Sequence, residues 1–231
     1  MLLQKIATFK SPFSSKFGIP KQSGVVENLP GQIVFEDKFR NADYIRGLED
    51  FDYLWLIWGF SANPHEVSSP VVRPPRLGGN KRLGVFATRS PFRPNALGLS
   101  SVRIEKIVLD GKNAPVIYVK GADLMDGTPI YDIKPYIAYT DCHDGVRSGF
   151  VDTHEWKEVE VDFPESLRRF FTPDELDVVI QVLAQDPRPT YQHDLKKNYG
   201  MPIFGYDVRF YVEDGTLHVV DVVKNDSARS S

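Results

Sequence analysis

The sequence predicts a mainly β protein, with an N-terminal β domain, barrel or sandwich, followed by a smaller α+β domain. Three observations carry this expectation. In the first two-thirds, short segments alternate apolar and polar residues at period two, or run apolar for about a strand's length. Glycine, proline and Asp-Gly turn signals separate them. Towards the C-terminus, a helical pattern with a capping signal precedes a hairpin pattern. At 231 residues and 42% hydrophobic, the chain can bury one large core, or a large and a small one.

Taken in order, QKIATFK and GQIVFED alternate at period two and read as strands. DYLWLIWGF is continuously aromatic and aliphatic, which predicts a central strand buried on both faces. RLGVFAT, SSVRIEKIVLDG, PVIYVKGADL and TPIYDIKPY follow as further strands, with turns at Asp110-Gly111 and Asp126-Gly127. One or two helical turns are expected in FRNADYIRG, capped by Asn41. Composition changes after about Tyr139, where DCHDGVRSGFVDTHEWKEVE reads as a polar linker. This divides the chain into residues 1–145, residues 146–224 and a frayed tail at 225–231. In the second part a helix starts at Thr172-Pro173, with Glu175 completing the cap. Leu176, Val179, Ile180 and Leu183 share one face of it, and Asp186-Pro187 ends it. FGYDVRFYVEDGTLHVVDVV then reads as a hairpin turning at Glu-Asp-Gly.

Charge is unevenly spread. The formal net charge is -3, yet residues 67–104 hold no acid and carry Arg73, Arg76, Lys81, Arg82, Arg89, Arg93 and Arg103. An acidic chain does not bind nucleic acid through bulk charge, so any such contact must be local. A polyanion or a carboxylate is the natural partner of the basic stretch. In a polyproline II conformation, Arg73-Pro-Pro-Arg76 would project both guanidiniums from one side. Leu77-Gly-Gly-Asn80 allows close backbone approach to a ligand, but lacks the strand–GxGxxG–helix context of a dinucleotide site. The loop from Thr88 to Asn95 could set Arg89 against a carboxylate and Phe92 against a base or sugar; alternatively Phe92 fills the core. Asp132 and Lys134, two apart on a strand, share a face and form either a structural ion pair or a proton-transfer pair.

Other chemistries are not supported. Cys142-His143 and the scattered His65, His154, His193 and His218 have no metal-ligand spacing. There is no GxSxG elbow, and the single cysteine lies in the polar linker. One cysteine, no signal-peptide core and no apolar run near the ~18 residues of a membrane span lead us to expect a cytoplasmic protein away from membranes.

With RPPRLGGN, GVFATRSPFRPN, GLS, GADLMDGTPIYDIKPY and VLAQDPRPTY in this order, the sequence resembles the TsaA-like (TrmO, YaeB) family. The resemblance runs over nearly the whole chain, from KFGIPKQSG to YDVRFYV. It implies a β-barrel without a Rossmann domain, usually a homodimer, with a smaller C-terminal domain. The implied activity is S-adenosylmethionine-dependent methylation of tRNA, at N6 of threonylcarbamoyladenosine in position 37. Carried over by motif, the cofactor site would draw on Gln22, Ser23, Gly24, Ser61, Ala62, Arg89, Leu99, Gly121, Ala122, Asp123 and Leu124. Ser61 stands where relatives often have histidine, with His65-Glu66 a few residues on.

On this reading Arg89 clamps the cofactor carboxylate, Asp123 accepts from a hydroxyl or amine, and Leu99 walls the adenine. Asp132 is the candidate proton acceptor. Arg73, Arg76, Lys81, Arg82, Arg93, Lys134 and Arg188 would hold the tRNA anticodon loop. Two other readings stand beside it: a barrel that binds RNA or another anion without chemistry, and a methyltransferase with a different acceptor.

Overall fold

The computed structural model describes residues 2–63, 69–78, 81–154, 157–189 and 197–225. Its first unit comprises β1 (Ala7–Lys10), β2 (Pro30–Phe35), β3 (Tyr53–Gly59), β4 (Val71–Val72), β5 (Leu83–Gly84), β6 (Leu97–Val108), β7 (Val116–Lys120) and β8 (Pro129–Pro135). Six of these close into a barrel in the order β1-β2-β7-β6-β3-β8. Every pairing around it is antiparallel. A closed barrel has no free strand edge, so each backbone ladder is satisfied within the unit.

The aromatic strand β3 alternates instead of burying both faces. Leu54, Leu56 and Trp58 fill the interior with Phe9, Ile33, Val102, Ile117, Val119 and Ile130. Tyr53, Trp55 and Ile57 face outward, because a barrel has its core on one side only. Trp55 is half-covered by the short helix α1 (Ala138–Asp141), whose Asp141 accepts its indole N–H at 2.9 Å. The expected strand RLGVFAT is shorter than predicted: among the described residues Leu83–Gly84 pairs only with Val71–Val72, and the chain then runs into a 3-10 turn at Val85–Ala87. The turns in 37–50 are also 3-10, and Asn41 does cap one, accepting from the Asp43 N–H at 2.9 Å.

The second unit contains β9 (Glu160–Asp162), α2 (Glu165–Arg168), α3 (Pro173–Ala184), β10 (Tyr199–Ile203), β11 (Tyr206–Glu213) and β12 (Thr216–Lys224). Its sheet runs β10-β11-β12-β9. Thr172 and Glu175 form the reciprocal capping box that starts α3. The buried face of α3 is Val178, Val179, Val182 and Leu183, with Leu176 and Ile180 only partly buried, so it is rotated slightly from the expected stripe.

One packing relationship ties the units together. Residues 11–29, between β1 and β2, send Phe13, Val26 and Leu29 into the core of the second unit, among Phe163, Val179, Met201 and Phe210. The Phe204 N–H also donates to the Pro12 carbonyl at 3.1 Å. The segment that carries Gln22, Ser23 and Gly24 is therefore anchored by apolar burial to the C-terminal sheet, although it belongs in sequence to the barrel. Among the described residues, no helix is long and apolar enough to cross a membrane, and no group of three or more His, Cys, Asp or Glu could hold a metal ion.

Candidate active site

Two chain crossings build the centre of the site. Gly24 and Gly121 both adopt left-handed backbone conformations, at φ 80° each. The Gly24 N–H donates to the Gly121 carbonyl at 2.8 Å, and the Gly121 N–H donates to the Leu29 carbonyl at 2.9 Å. Glycine tolerates this conformation without a Cβ penalty. The crossing brings Gln22, Ser23 and Gly24 against Gly121, Ala122, Asp123 and Leu124. Ala122 and Leu124 are buried in the barrel core and fix the turn from below.

A polar chain runs from the barrel interior to Asp123. The Trp58 indole N–H donates to the Ser100 hydroxyl oxygen at 2.9 Å, and the Ser100 hydroxyl donates to Asp123 Oδ1 at 2.5 Å. Indole can only donate, so the one Ser100 proton is directed to the carboxylate. Ser100 is almost fully buried. Burial pushes the Asp123 carboxyl above the usual carboxylate range; the Ser100 hydrogen bond, backbone N–H groups of Asp123 and Ser23, and the Arg89 charge pull the other way. Arg89 donates to the side-chain carbonyl of Gln22, and the Ser101 N–H donates to the Ser23 hydroxyl at 3.2 Å. Gln22, Ser23, Gly24, Arg89, Gly121, Ala122, Asp123 and Leu124 thus form one connected group, with Ser100 and Trp58 supporting it.

Leu99, one residue from Ser100, points to the outer face and is 54% exposed. The register continues the row outward: Leu99 pairs with Ile57, and Ile57 with Asp132. Asp132 accordingly shares the outer face with Leu99 at a remove of two strand spacings, about 10 Å. It pairs with Lys134 at 3.2 Å and accepts from the Ile133 N–H. Ser61 and Ala62 follow β3 on a turn; Ser61 N–H donates to Gly59 at 2.8 Å, and Asn63 accepts from Lys16 of the 11–29 segment. His65 and Glu66 lie outside the described residues. A pocket of about 460 Å³ walled by Phe35, Phe39, Ile45, Leu48, Ile117 and Ile133 borders Asp132 but holds no residue of the Asp123 group.

The basic stretch is not uniform. The polyproline conformation expected for residues 73–76 ends at Pro74, and Pro75–Leu77 turns as a 3-10 element, so Arg73 and Arg76 do not repeat on one screw. Arg73 is exposed while Arg76 is half-buried; Lys81 and Arg82 are exposed. Arg93 donates to the carbonyls of Thr88 and Ser90 at 3.0 and 3.3 Å and so braces its own loop. Lys134 is exposed and pairs with Asp132. Arg188 belongs to the second unit and is clasped by Asp186. Phe92 is exposed, not a core residue, and Phe86 is 78% exposed. Gly79, Asn80, His193 and Tyr191 lie outside the described residues, as does the expected tail beyond Asn225.

Sequence reasoning did not find Trp58, Ser100, Lys21 or Asp186. Ser100 and Trp58 lay inside strand patterns that composition explains by burial alone. In sequence Asp186 reads only as a helix stop, although its spacing to Arg188, which lies between two prolines, is visible there.

Residues 8–142 match the family model of the tRNA-methyltransferase O N-terminal domain, and residues 157–225 match that of the TrmO C-terminal domain. The chain is 35% identical over 224 residues to the Escherichia coli tRNA (adenine(37)-N6)-methyltransferase, covering 94% of this chain and 95% of that protein. It is 36% identical over 230 residues to a Pseudomonas aeruginosa protein named, provisionally, as the S-adenosylmethionine-dependent methyltransferase RcsF, covering 96% and 97%. A solved structure of TrmO from Pseudomonas aeruginosa superposes with a TM-score of 0.77 at 30% identity, covering 97% of each chain.

Proposed function

Because the chain belongs to the tRNA-methyltransferase O family, we infer that it is an S-adenosylmethionine-dependent tRNA adenine-N6 methyltransferase acting at position 37, and we propose that its acceptor is the threonylcarbamoyl-modified adenosine. The observation that carries this reading is the convergence of Gln22, Ser23, Gly24, Arg89, Gly121 and Asp123 around one polar group.

The residues fit the cofactor. A Cβ at Gly24 would meet nothing within 4 Å, so the crossed backbone presents an open surface there. Asp123 brings a desolvated carboxylate held at one oxygen by Ser100, suited to a hydroxyl or ammonium. Arg89 offers a guanidinium to a carboxylate, and exposed Leu99 offers an apolar wall. When bound, S-adenosylmethionine supplies an electrophilic methyl group on a sulfonium.

The protein's share of the chemistry is alignment and proton management. The acceptor nitrogen is delocalised into the purine and the carbamoyl group, so removing its proton raises its nucleophilicity. Asp132, in the outer row with Leu99 and Ile57, is the proposed acceptor of that proton, with Lys134 as its ion-pair partner. Exposed Phe86 and Phe92 are suited to stack on unpaired bases, and Arg73, Lys81 and Arg82 to meet phosphates of the anticodon loop. A homodimer working in the cytoplasm completes the proposal.

The test is methyl transfer from labelled S-adenosylmethionine to tRNA carrying the threonylcarbamoyl group, beside the same tRNA without it. Transfer to the modified tRNA alone is expected. Equal transfer to both, or none to the modified one by folded protein, overturns the proposed acceptor.

A further inference from the structure

Strand β8 carries one residue more than its partner β3. Ile57 pairs with Asp132, yet the next residue, Trp58, pairs with Ile130, so Tyr131 is the extra residue of a β-bulge. In a regular ladder Tyr131 and Asp132 would face opposite sides of the sheet. The bulge cancels that alternation. Tyr53, Trp55 and Ile57 face outward along β3, so Gly59 is the next outward position, and the Tyr131 ring lies on it. A Cβ at Gly59 would stand 2.8 Å from Cε2, 3.0 Å from the hydroxyl oxygen and 3.3 Å from Cζ of Tyr131, its three nearest atoms. A glycine in a strand lets another group approach the backbone closely, and here it makes room for the hydroxyl end of the ring. Tyr131 and Asp132 therefore reach the same outer face.

The neighbours of Gly59 belong to the site. Gly59 pairs with Leu97, the next outward pair after Ile57 and Leu99. Its carbonyl accepts the Ser61 N–H at 2.8 Å, which starts the turn carrying Ser61 and Ala62. The Tyr131 hydroxyl thus lies on the face of Leu99 and Asp132, beside the start of that turn. Tyr131 is partly exposed, and among the described residues no hydrogen bond engages its hydroxyl. A phenol both donates and accepts, so its hydrogen-bonding capacity is left for a ligand.

Resting on the methyltransferase reading above, we propose that Tyr131 is a substrate-contact residue whose hydroxyl donates a hydrogen bond to the target adenosine. The acceptor atom belongs either to the purine or to the carbamoyl substituent. Charge left on N6 as its proton departs is shared with both, so a donor at either one acts in the same step as Asp132. The bulge and Gly59 are the devices that aim the phenol.

The test compares full-length wild type with Tyr131→Phe, Gly59→Ala and the double variant. Denaturant unfolding, S-adenosylmethionine affinity, and affinity for tRNA with and without the threonylcarbamoyl group are measured beside kcat and KM. Tyr131→Phe keeps the ring, so the unfolding midpoint should match wild type and cofactor affinity should stay within about twofold. Affinity for the modified tRNA is expected to drop about tenfold, and kcat/KM by tenfold or more. Gly59→Ala should act in the same direction by displacing the ring, and the double variant should lose nothing further, since both act through one hydroxyl. A loss of affinity confined to the modified tRNA assigns the carbamoyl group; an equal loss on both assigns the purine. Tyr131→Phe that matches wild type in tRNA affinity and turnover overturns the contact, and so does a fall in its unfolding midpoint with activity retained. Wild type that methylates neither tRNA overturns the methyltransferase reading instead, and the tRNA affinity of Tyr131→Phe still decides the contact. That variant also carries the test should Gly59→Ala fail to fold.

Discussion

Ser100 donates its hydroxyl to Asp123 at 2.5 Å from inside the barrel wall. The donor is aimed by Trp58, whose indole N–H occupies the acceptor side of the same oxygen at 2.9 Å. A residue of the core thereby sets the orientation of a carboxylate at the surface of the site. Ser100→Ala removes both bonds. The expected outcome is a tenfold or greater loss of S-adenosylmethionine affinity, about 1.4 kcal/mol or more, measured by calorimetry. An affinity equal to wild type would separate Asp123 from cofactor binding.

Gly98 lies under Trp58. A Cβ there would stand 2.3 Å from Cε2 of the indole, in a ring already packed edge-on against Phe60 at 4.4 Å. Gly98→Ala must displace Trp58 and is expected to destabilise the fold by about 1–3 kcal/mol, read by denaturant unfolding. Cofactor affinity should fall with it, because Ser100 loses its aim.

Phe13 is fully buried in the second core while the chain around it leads to Gln22. Phe13→Ala is expected to cost about 3–5 kcal/mol in unfolding free energy. It should also weaken cofactor binding at temperatures where the protein remains folded, since the 11–29 segment loses its footing. Unfolding curves and binding isotherms on the same preparation check both.

Asp132→Asn keeps the size of the side chain and removes the base. If Asp132 takes the acceptor proton, kcat falls by about 10²–10⁴ while KM for tRNA stays near the wild-type value. A fall in affinity with unchanged kcat would make the pair with Lys134 a binding feature instead.

Lys21 gives a pH signature with a defined sign. Its folded-state value of about 8 lies below the ordinary 10.5, so between these limits the unfolded chain holds more protons than the folded one. Stability should therefore rise with pH across that window, and the cost of burying the charge should be fully present below about 8. Lys21→Gln should flatten the difference. Among the described residues, Asp186 raises and Arg76 lowers this value, and Arg76→Gln should move the transition upward.

The elements were legible in the sequence to different degrees. Strands read at period two appear where expected, because alternation reports directly which face meets a core. The capping box at Thr172 and the Asn41 cap were equally readable, being satisfied within a few residues. The continuous run at Tyr53–Gly59 misled, since aromatic side chains on an outer barrel face are covered by later segments such as α1. The polyproline reading of residues 73–76 failed for a local reason, as Pro75 is equally compatible with the first position of a 3-10 turn.

What the sequence by itself determined is the inventory: short strands enough for a β domain, a capped helix and hairpin after them, and a basic stretch with its motifs in family order. What only the tertiary structure decided is which of these meet. Gly24 touches Gly121, Ser100 reaches Asp123, and Lys21 approaches Asp186 across gaps of 97, 23 and 165 positions, read from the numbering. Local sequence sets backbone preference, but contacts over such separations depend on barrel closure and on the burial of Phe13 beneath the second sheet. Charge and desolvation at Asp123, Lys21 and Arg76 follow from that packing, so they exist only once the chain is folded.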